Sequence, residues 1–242
     1  MNSITNALNF IRNRIADAER AHGRPPGSVR LIAVSKTHPP AAVKAAFEAG
    51  QRAFGENQLQ DAMTKVTATE GMPIEWHFIG PVQSNKTRPI ATHFHWVHTV
   101  DRTKVARRLS EQRPESLPRL NVCIQINVSG EQTKSGVSPE EALPLARAIS
   151  DLPRLRLRGL MAIPQPCVGF EAQRQALRPL ATLFAALREE GLALDALSMG
   201  MTDDLEAAIA EGATMVRIGT AIFGPRQQPS GRPRCSGDPA SD

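Results

Sequence analysis

Lys36 stands at the end of a short apolar segment, 31–36, and a Thr-His-Pro-Pro run at 37–40 follows it at once. An apolar run of this length between polar residues is typical of a buried strand. An unpaired ammonium is costly to bury, so two interpretations compete. Either Lys36 extends from the strand end into solvent, or its amine is a nucleophile or Schiff-base former in a pocket. The segment alone favours the first interpretation.

Two later segments combine glycines and hydroxyls in a way that is typical of phosphate sites. One is the run 198–202, Ser-Met-Gly-Met-Thr, and the other is 219–221, Gly-Thr-Ala. Glycines let the backbone approach an anion, and hydroxyls add hydrogen-bond donors. Ordinary turns are the alternative interpretation of either run. A phosphate site together with Lys36 indicates pyridoxal 5′-phosphate (PLP), whose aldehyde needs a lysine.

Arg217 precedes the second glycine segment and is placed to lie beside the pyridine nitrogen of PLP. Its guanidinium is a permanently charged donor without a lone pair, so it would keep that nitrogen unprotonated. An unprotonated ring is a poor electron sink. The residue types therefore favour holding the cofactor over carbanion chemistry.

The elements that must position these residues alternate along the chain. A first amphipathic helix is predicted from Ile4, Leu8, Ile11 and Ile15 at helical spacing. Strands are predicted at 31–36, 51–57, 74–80, 96–100, 121–127, 157–163, 194–199 and 215–218. Helices are predicted at 41–49, 59–69, 84–92, 103–112, 139–151, 170–190 and 203–211, with a helical turn at 220–223. Asp101 is predicted to cap the helix at 103–112.

Eight strand–helix units predict an α/β fold, a single (β/α)₈ TIM barrel with an extra N-terminal helix. A doubly wound open sheet is the alternative, but its Gly-x-Gly-x-x-Gly fingerprint is missing after the first strand. The barrel is predicted to span 1–226. Residues 227–242 are rich in Pro, Gly and Ser and are expected to form a disordered tail. In a barrel, ligand residues lie at the C-terminal strand ends, which would bring Lys36, Asn57, His77, Ser198 and Arg217 together.

Composition narrows the function classes. The net charge of +5 comes without a basic block, so nucleic-acid binding is not expected. Three cysteines without paired spacing (Cys123, Cys167 and Cys235) indicate neither disulfides nor a metal site. Without an apolar run long enough to span a membrane or a signal peptide, we expect a cytoplasmic protein. The chain contains no tyrosine, which excludes mechanisms that need a tyrosine from this polypeptide.

Eight motifs now make a resemblance recognisable. They are AVSKT, FGENQLQDA, EWHFIGPVQSNK, VHTVDR, INVSGEQTKSG, RGLMAIP, LSMGMTDDLEAAI and VRIGTAIFGPR. In this order they closely resemble the pyridoxal phosphate homeostasis protein family, which is related to the barrel domain of alanine racemase. The resemblance covers about residues 5–226. It implies a PLP fold-type III barrel without the racemase's second β domain, carrying PLP as a Schiff base.

Seven positions match the family's cofactor site, and they are Lys36, Asn57, Ser198, Met199, Arg217, Gly219 and Thr220. By this resemblance Lys36 is the PLP lysine and Arg217 is the partner of the ring nitrogen. The phosphate site would be Ser198, Gly219 and Thr220, while Asn57 and Met199 would line the pocket. His77 is more often a packed or hydrogen-bonded histidine than a cofactor contact.

Two positions depart from the family pattern. Gln58 stands where an aromatic residue is common, which affects packing beside the pocket. Thr202 replaces a usual serine and keeps the hydroxyl. Lys134 is either a secondary anion contact or, as we expect, a solvated surface lysine.

The resemblance implies intracellular PLP homeostasis, by buffering PLP or delivering it to PLP-dependent apo-enzymes, with indirect effects on amino- and keto-acid metabolism. The alternative is a PLP-dependent amino-acid racemase or a related PLP enzyme. Two-base racemisation needs a partner for Lys36, and in alanine racemase that partner is a tyrosine from the other subunit's second domain. Since this chain has no tyrosine, we expect a carrier rather than an enzyme. We expect a monomer, with a dimer as the alternative.

Overall fold

Eight short segments form parallel strands that close into a barrel. They are β1 (Arg30–Val34), β2 (Ala53–Glu56), β3 (Glu75–Phe78), β4 (Trp96–Val100), β5 (Leu120–Gln125), β6 (Leu155–Met161), β7 (Ala196–Ser198) and β8 (Met215–Ile218). The computed structural model describes residues 3–130 and 135–225. Each strand pairs with the next one, and β8 pairs with β1. The predicted barrel is confirmed, and the open-sheet alternative is wrong.

Helices cover the outside of the barrel. They are α1 (Ser3–Ala21), α2 (Pro40–Glu48), α3 (Leu59–Ala68), α4 (Thr87–His93), α5 (Thr103–Gln112), α6 (Pro139–Ser150), α7 (Phe170–Glu189), α8 (Leu205–Ala210) and α9 (Thr220–Phe223). The predicted N-terminal helix is α1, which buries Leu8, Ile11 and Ile15 and packs beside α2, α8 and α9. Alternation of strand and helix thus follows the predicted order throughout.

Three predicted details are corrected by the structure. The first strand ends at Val34 rather than Lys36, because the backbone turns and Thr37 takes a positive φ of 66°. The helix predicted at 84–92 opens with a separate 3-10 turn, Ser84–Lys86, before α4. Asp101 does not cap α5: the N-cap residue is Arg102, and the Asp101 carboxylate pairs with the Arg102 side chain at 2.6 Å.

The apolar core has two parts. The larger part fills the layer between the strands and the surrounding helices. The smaller part lies on the strands and forms a separate cluster, namely Ile32, Ala53, Trp96, Cys123, Met161, Ala196 and Met215. Fully buried polar side chains lie on β3, β4 and β7, namely His77, His98 and Ser198. The barrel interior is therefore partly polar, whereas barrels of this type are usually filled by bulky apolar residues.

Some predictions fall outside the described residues. They concern the tail expected at 227–242, with Cys235, and the expectation that Lys134 is a solvated surface lysine. Within 3–130 and 135–225, no helix has both the length and the apolar character needed to cross a membrane.

Candidate functional site

Lys36 and the loop after β8 lie side by side at the C-terminal end of the barrel. β1 pairs with β8 in the register Ala33↔Ile218, so the two strands end next to each other. A Cβ on Gly219 would lie 3.2 Å from the Val34 carbonyl oxygen, which shows how closely the two backbones approach. Lys36 itself is half-buried in the turn after β1. The structure therefore brings the predicted lysine and the predicted phosphate loop together.

A buried lysine fixes the turn that carries Lys36. The Lys65 ammonium, on α3, donates to the Ser35 carbonyl oxygen at 2.7 Å and to the Asp61 carboxylate at 2.8 Å. Asp61 in turn accepts a hydrogen bond from the Thr37 backbone N–H at 3.1 Å. The backbone groups on both sides of Lys36, at Ser35 and Thr37, are thus fixed by side chains of α3. No motif in the sequence pointed to Lys65, because its partners come from three different elements.

Glu56 completes this cluster from the end of β2. Its carboxylate accepts hydrogen bonds from Lys65 at 2.7 Å and from the Ser35 hydroxyl at 2.5 Å. Burial raises the pKa of Glu56, although Lys65 and Ser35 act in the opposite direction. The second carboxylate oxygen is buried and has no hydrogen-bond partner among the described residues. The charge of Lys65 is therefore needed to keep this carboxylate inside the fold.

Lys65→Met is expected to destabilise the protein by about 3–5 kcal/mol at pH 7, because it leaves the Glu56 carboxylate buried without its counter-charge. Removing Lys65 raises the pKa of Glu56 further, so stability is lost as the pH rises above the unfolded-state value. The loss should consequently shrink near pH 5. Urea unfolding at both pH values measures it. Lys104→Met, at an exposed lysine on α5, is the matched control and should stay within about 0.5 kcal/mol of the parent protein. An equal effect of the two changes would contradict the role of Lys65.

Arg217 lies inside the barrel with its guanidinium beneath the mouth. Its side chain donates to the Ser198 hydroxyl oxygen at 2.8 Å and to the Ala162 carbonyl oxygen at 3.0 Å. Burial lowers the pKa of Arg217 to about 10, which still leaves it charged at neutral pH. The charge of Asp204 acts in the opposite direction, but Arg217 forms no ion pair with a carboxylate of the described residues. A buried cation without a paired carboxylate suits a ligand that offers it an acceptor.

Ser198 is directed inward, toward Arg217. It is fully buried, and its hydroxyl contacts both the Arg217 guanidinium and Nδ1 of His98, each at 2.8 Å. Met199 follows it and is also fully buried, in the layer between strands and helices. Gly200 has a φ of +94°, and a Cβ there would lie 2.5 Å from the Ala208 Cβ. Only glycine therefore fits at this point of the predicted phosphate segment.

Asn57 lies at the C-terminal end of β2 and is half-buried. A Cβ on Gly80 would lie 2.0 Å from the Asn57 carbonyl oxygen, so glycine is required where these two loops meet. Asn57 and the neighbouring Gln58 also border a cavity of about 920 Å³ between α3 and α4. Neither Lys36 nor Arg217 lines that cavity, so it is distinct from the site around the lysine.

His77 is fully buried and hydrogen-bonded inside the barrel, to His98 at 2.9 Å and to Glu75 at 2.8 Å. This placement agrees with the interpretation of His77 as a packed histidine. Thr220 is the first residue of α9, and the Phe223 ring of that helix lies 5.3 Å from the His38 ring of the lysine turn. The site thus combines a half-buried amine, a buried cation and a glycine loop that opens a short helix. These are the group types that PLP requires.

The chain is similar over most of its length to proteins of one known family. The family model for the alanine racemase N-terminal domain matches residues 7–227. The pyridoxal phosphate homeostasis protein of Pseudomonas aeruginosa is 58% identical over 226 residues, covering 93% of this chain and 97% of the relative. Its namesake in Escherichia coli is 52% identical over 229 residues, covering 93% and 98%. The structure of PipY from Synechococcus elongatus, with PLP bound, matches with a TM-score of 0.76 and 37% identity, over 87% of this chain and 100% of that chain.

Proposed function

The chain belongs to the pyridoxal phosphate homeostasis protein family, within the wider alanine racemase N-terminal domain family, and on that premise we propose that it holds PLP as a Schiff base on Lys36. It serves intracellular PLP homeostasis by buffering the cofactor or delivering it to apo-enzymes. The observation that carries this proposal is the juxtaposition of the half-buried Lys36 with the loop 219–220 on adjacent strands. PLP-bound PipY, a relative at 37% identity, supports the choice of ligand.

Each residue of the site has a distinct role in this proposal. PLP supplies an aldehyde for an amine and a ring that can withdraw electrons. Lys36 forms the covalent link, and Arg217 donates toward the ring nitrogen. Gly219 and Thr220 hold the phosphate, since the first turn of α9 presents backbone N–H groups there. The Ser198 hydroxyl is already engaged by Arg217 and His98, so we assign Ser198 to Arg217 rather than to the phosphate. Asn57 borders the site, whereas the Met199 side chain, expected to line the pocket, packs between the strands and the helices instead.

An amino-acid racemase or related PLP enzyme is the second candidate. Proton removal and return on opposite faces would need a second base besides Lys36. The tyrosine that fills this role by resemblance to alanine racemase is missing, since the sequence contains none. Arg217, without a carboxylate partner in the described part of the chain, would also keep the ring nitrogen unprotonated. Both features favour binding over catalysis.

Transfer of PLP to an apo-enzyme in the presence of a trap for free PLP tests the proposed function. We expect the loaded protein to reactivate an apo-aminotransferase even when the trap removes PLP from solution. Reactivation that the trap abolishes would limit the role to buffering. The enzyme alternative is tested by incubation with L-amino acids and chiral analysis. Turnover of about 1 per second or faster would favour a racemase and contradict the carrier proposal.

A further inference from the structure

A line of hydrogen-bonded side chains crosses the barrel interior beneath the cofactor site. Ser198 contacts Nδ1 of His98 at 2.8 Å, and Nε2 of His98 contacts Nδ1 of His77 at 2.9 Å. Nε2 of His77 then contacts the Glu75 carboxylate at 2.8 Å, and Glu75 also pairs with Arg30. We call Ser198, His98, His77 and Glu75 the histidine chain.

The histidine chain connects the two ends of the barrel. Glu75 and Arg30 are the first residues of β3 and β1, and they reach solvent. Ser198 is the last residue of β7, next to Arg217 at the mouth. Both histidines between them are fully buried. Three fully buried polar side chains in the interior of a barrel are costly unless their donors meet acceptors.

The proton order of the histidine chain, meaning which atom donates in each hydrogen bond, can be deduced by starting at Glu75. Burial alone would raise the pKa of Glu75, but its carboxyl is partly exposed and pairs with Arg30, so it is ionised at neutral pH. An ionised carboxylate only accepts, so His77 carries its proton on Nε2. Burial lowers the pKa of His77 and, more strongly, that of His98, so both rings are neutral. His77 then accepts at Nδ1 from the Nε2–H of His98.

The same reasoning continues to Arg217. Nδ1 of a neutral His98 that is protonated on Nε2 has only a lone pair, so the Ser198 hydroxyl must donate to it. The Ser198 oxygen is then left as an acceptor for the Arg217 guanidinium. Each hydrogen bond between Arg217 and Glu75 then joins one donor to one acceptor. With a charged His77, each hydrogen bond would reverse its direction, and the Ser198 proton would be buried without an acceptor beside the Arg217 cation, which is unfavourable.

From this order we propose that His98 and His77 are positioning residues that hold Arg217 in place for the cofactor by fixing the direction of the Ser198 hydroxyl. The role in cofactor binding rests on the proposed function, whereas the proton order is a property of the protein alone. If the Ser198 hydroxyl were free to rotate, it could present its proton to the guanidinium and weaken that contact. The histidine chain prevents this rotation, because Nδ1 of His98 accepts the Ser198 proton and leaves the hydroxyl oxygen facing Arg217 as an acceptor. The buried histidines thus act on PLP through Arg217 without touching it.

Nitrogen NMR of the histidine rings in the full chain without PLP tests the proton order. We expect His77 and His98 to be neutral and protonated on Nε2 at pH 7. A ring protonated on Nδ1, or a charged ring at either position, would overturn the proposal. This experiment does not depend on cofactor binding. A parent protein that fails to bind PLP would therefore refute the proposed function while the proton order remains testable.

PLP dissociation rates test the coupling to Arg217. His98→Phe removes both hydrogen bonds and should raise the rate about 10-fold, as loss of a supporting hydrogen bond does behind metal ligands. His98→Asn keeps an acceptor for the Ser198 hydroxyl, so its dissociation rate should lie close to that of the parent protein. In a Ser198→Ala background, His98→Phe should change the rate less than about twofold, because the connection is already broken.

Two results would overturn the proposal. One is the same fold-change for His98→Phe in the parent and in the Ser198→Ala background, which would show that His98 acts by another route. The other is a rise in the dissociation rate with His98→Asn that is as large as the rise with His98→Phe. Thermal unfolding of every variant without PLP separates these effects from simple loss of folding. A rate change that only parallels the loss of stability across the set counts against a positioning role.

Discussion

Lys36→Ala is expected to abolish the absorbance band at about 420 nm that PLP gives when linked to a lysine. Lys36 follows β1 at the barrel mouth, beside the loop at 219–220, and we propose that the covalent link forms there. Borohydride should fix PLP to Lys36 in the parent protein and leave the variant unlabelled at this position. Absorbance spectra and peptide mass analysis of the reduced proteins measure both effects.

Lys86→Ala is the matched control for this experiment. Lys86 is an exposed lysine that borders the cavity between α3 and α4, and neither Lys36 nor Arg217 lines that cavity. Its replacement should leave the band and the labelling of Lys36 unchanged. If Lys36→Ala keeps the band, or if reduction labels Lys86 instead, the site is placed wrongly.

Gly159→Ala is expected to destabilise the barrel by at least about 3 kcal/mol, or to prevent folding. Gly159 on β6 pairs with Ala196 on β7, and an added Cβ would lie 1.6 Å from the Ala196 carbonyl oxygen. That atom belongs to the backbone, so a side-chain rearrangement cannot relieve the overlap. The two strands must separate, which breaks the closed sheet. The midpoint of urea unfolding measures the loss.

Gly71→Ala separates this overlap from the general effect of replacing a glycine. Gly71 is exposed, has a φ of +81°, and no heavy atom lies within 4 Å of a Cβ built there. Only the left-handed backbone is unfavourable for alanine, at about 1 kcal/mol. Equal losses for the two variants would contradict the pairing of β6 with β7. A similar midpoint for the parent and Gly159→Ala would do the same.

The two buried clusters divide the support of the cofactor site between them. Lys65 and its carboxylate partners hold the turn that carries Lys36. The histidine chain holds Arg217 from the barrel interior. We place no residue of either cluster in contact with PLP. Ser198 acts on the site only through its hydrogen bond with Arg217. Both groups on which the proposed ligand depends are therefore kept in position by fully buried polar side chains.

Sequence by itself determined the order of the eight strands and the helices between them. Short apolar runs alternating with amphipathic segments leave few folds that bury all their apolar faces, and a barrel is one of them. The glycine segments near 200 and 219 and the nearness of Lys36 to a strand end followed from residue type, although the strand itself stops two residues earlier, at Val34. The motifs also identified the family. These features are local, so nearby residues are enough to predict them.

Only the tertiary structure decided where the polar side chains meet. His98 and Ser198 are separated by 100 residues, and Lys65 meets a carbonyl oxygen 30 residues away. Sequence placed Glu75 and His77 on one face of a strand, since they are two residues apart, but that spacing does not say which face is buried. Closure of the sheet turns this face inward and brings β4 and β7 to it. Hydrogen bonds across a barrel depend on that closure, and for this reason spacing along the chain could not reveal them.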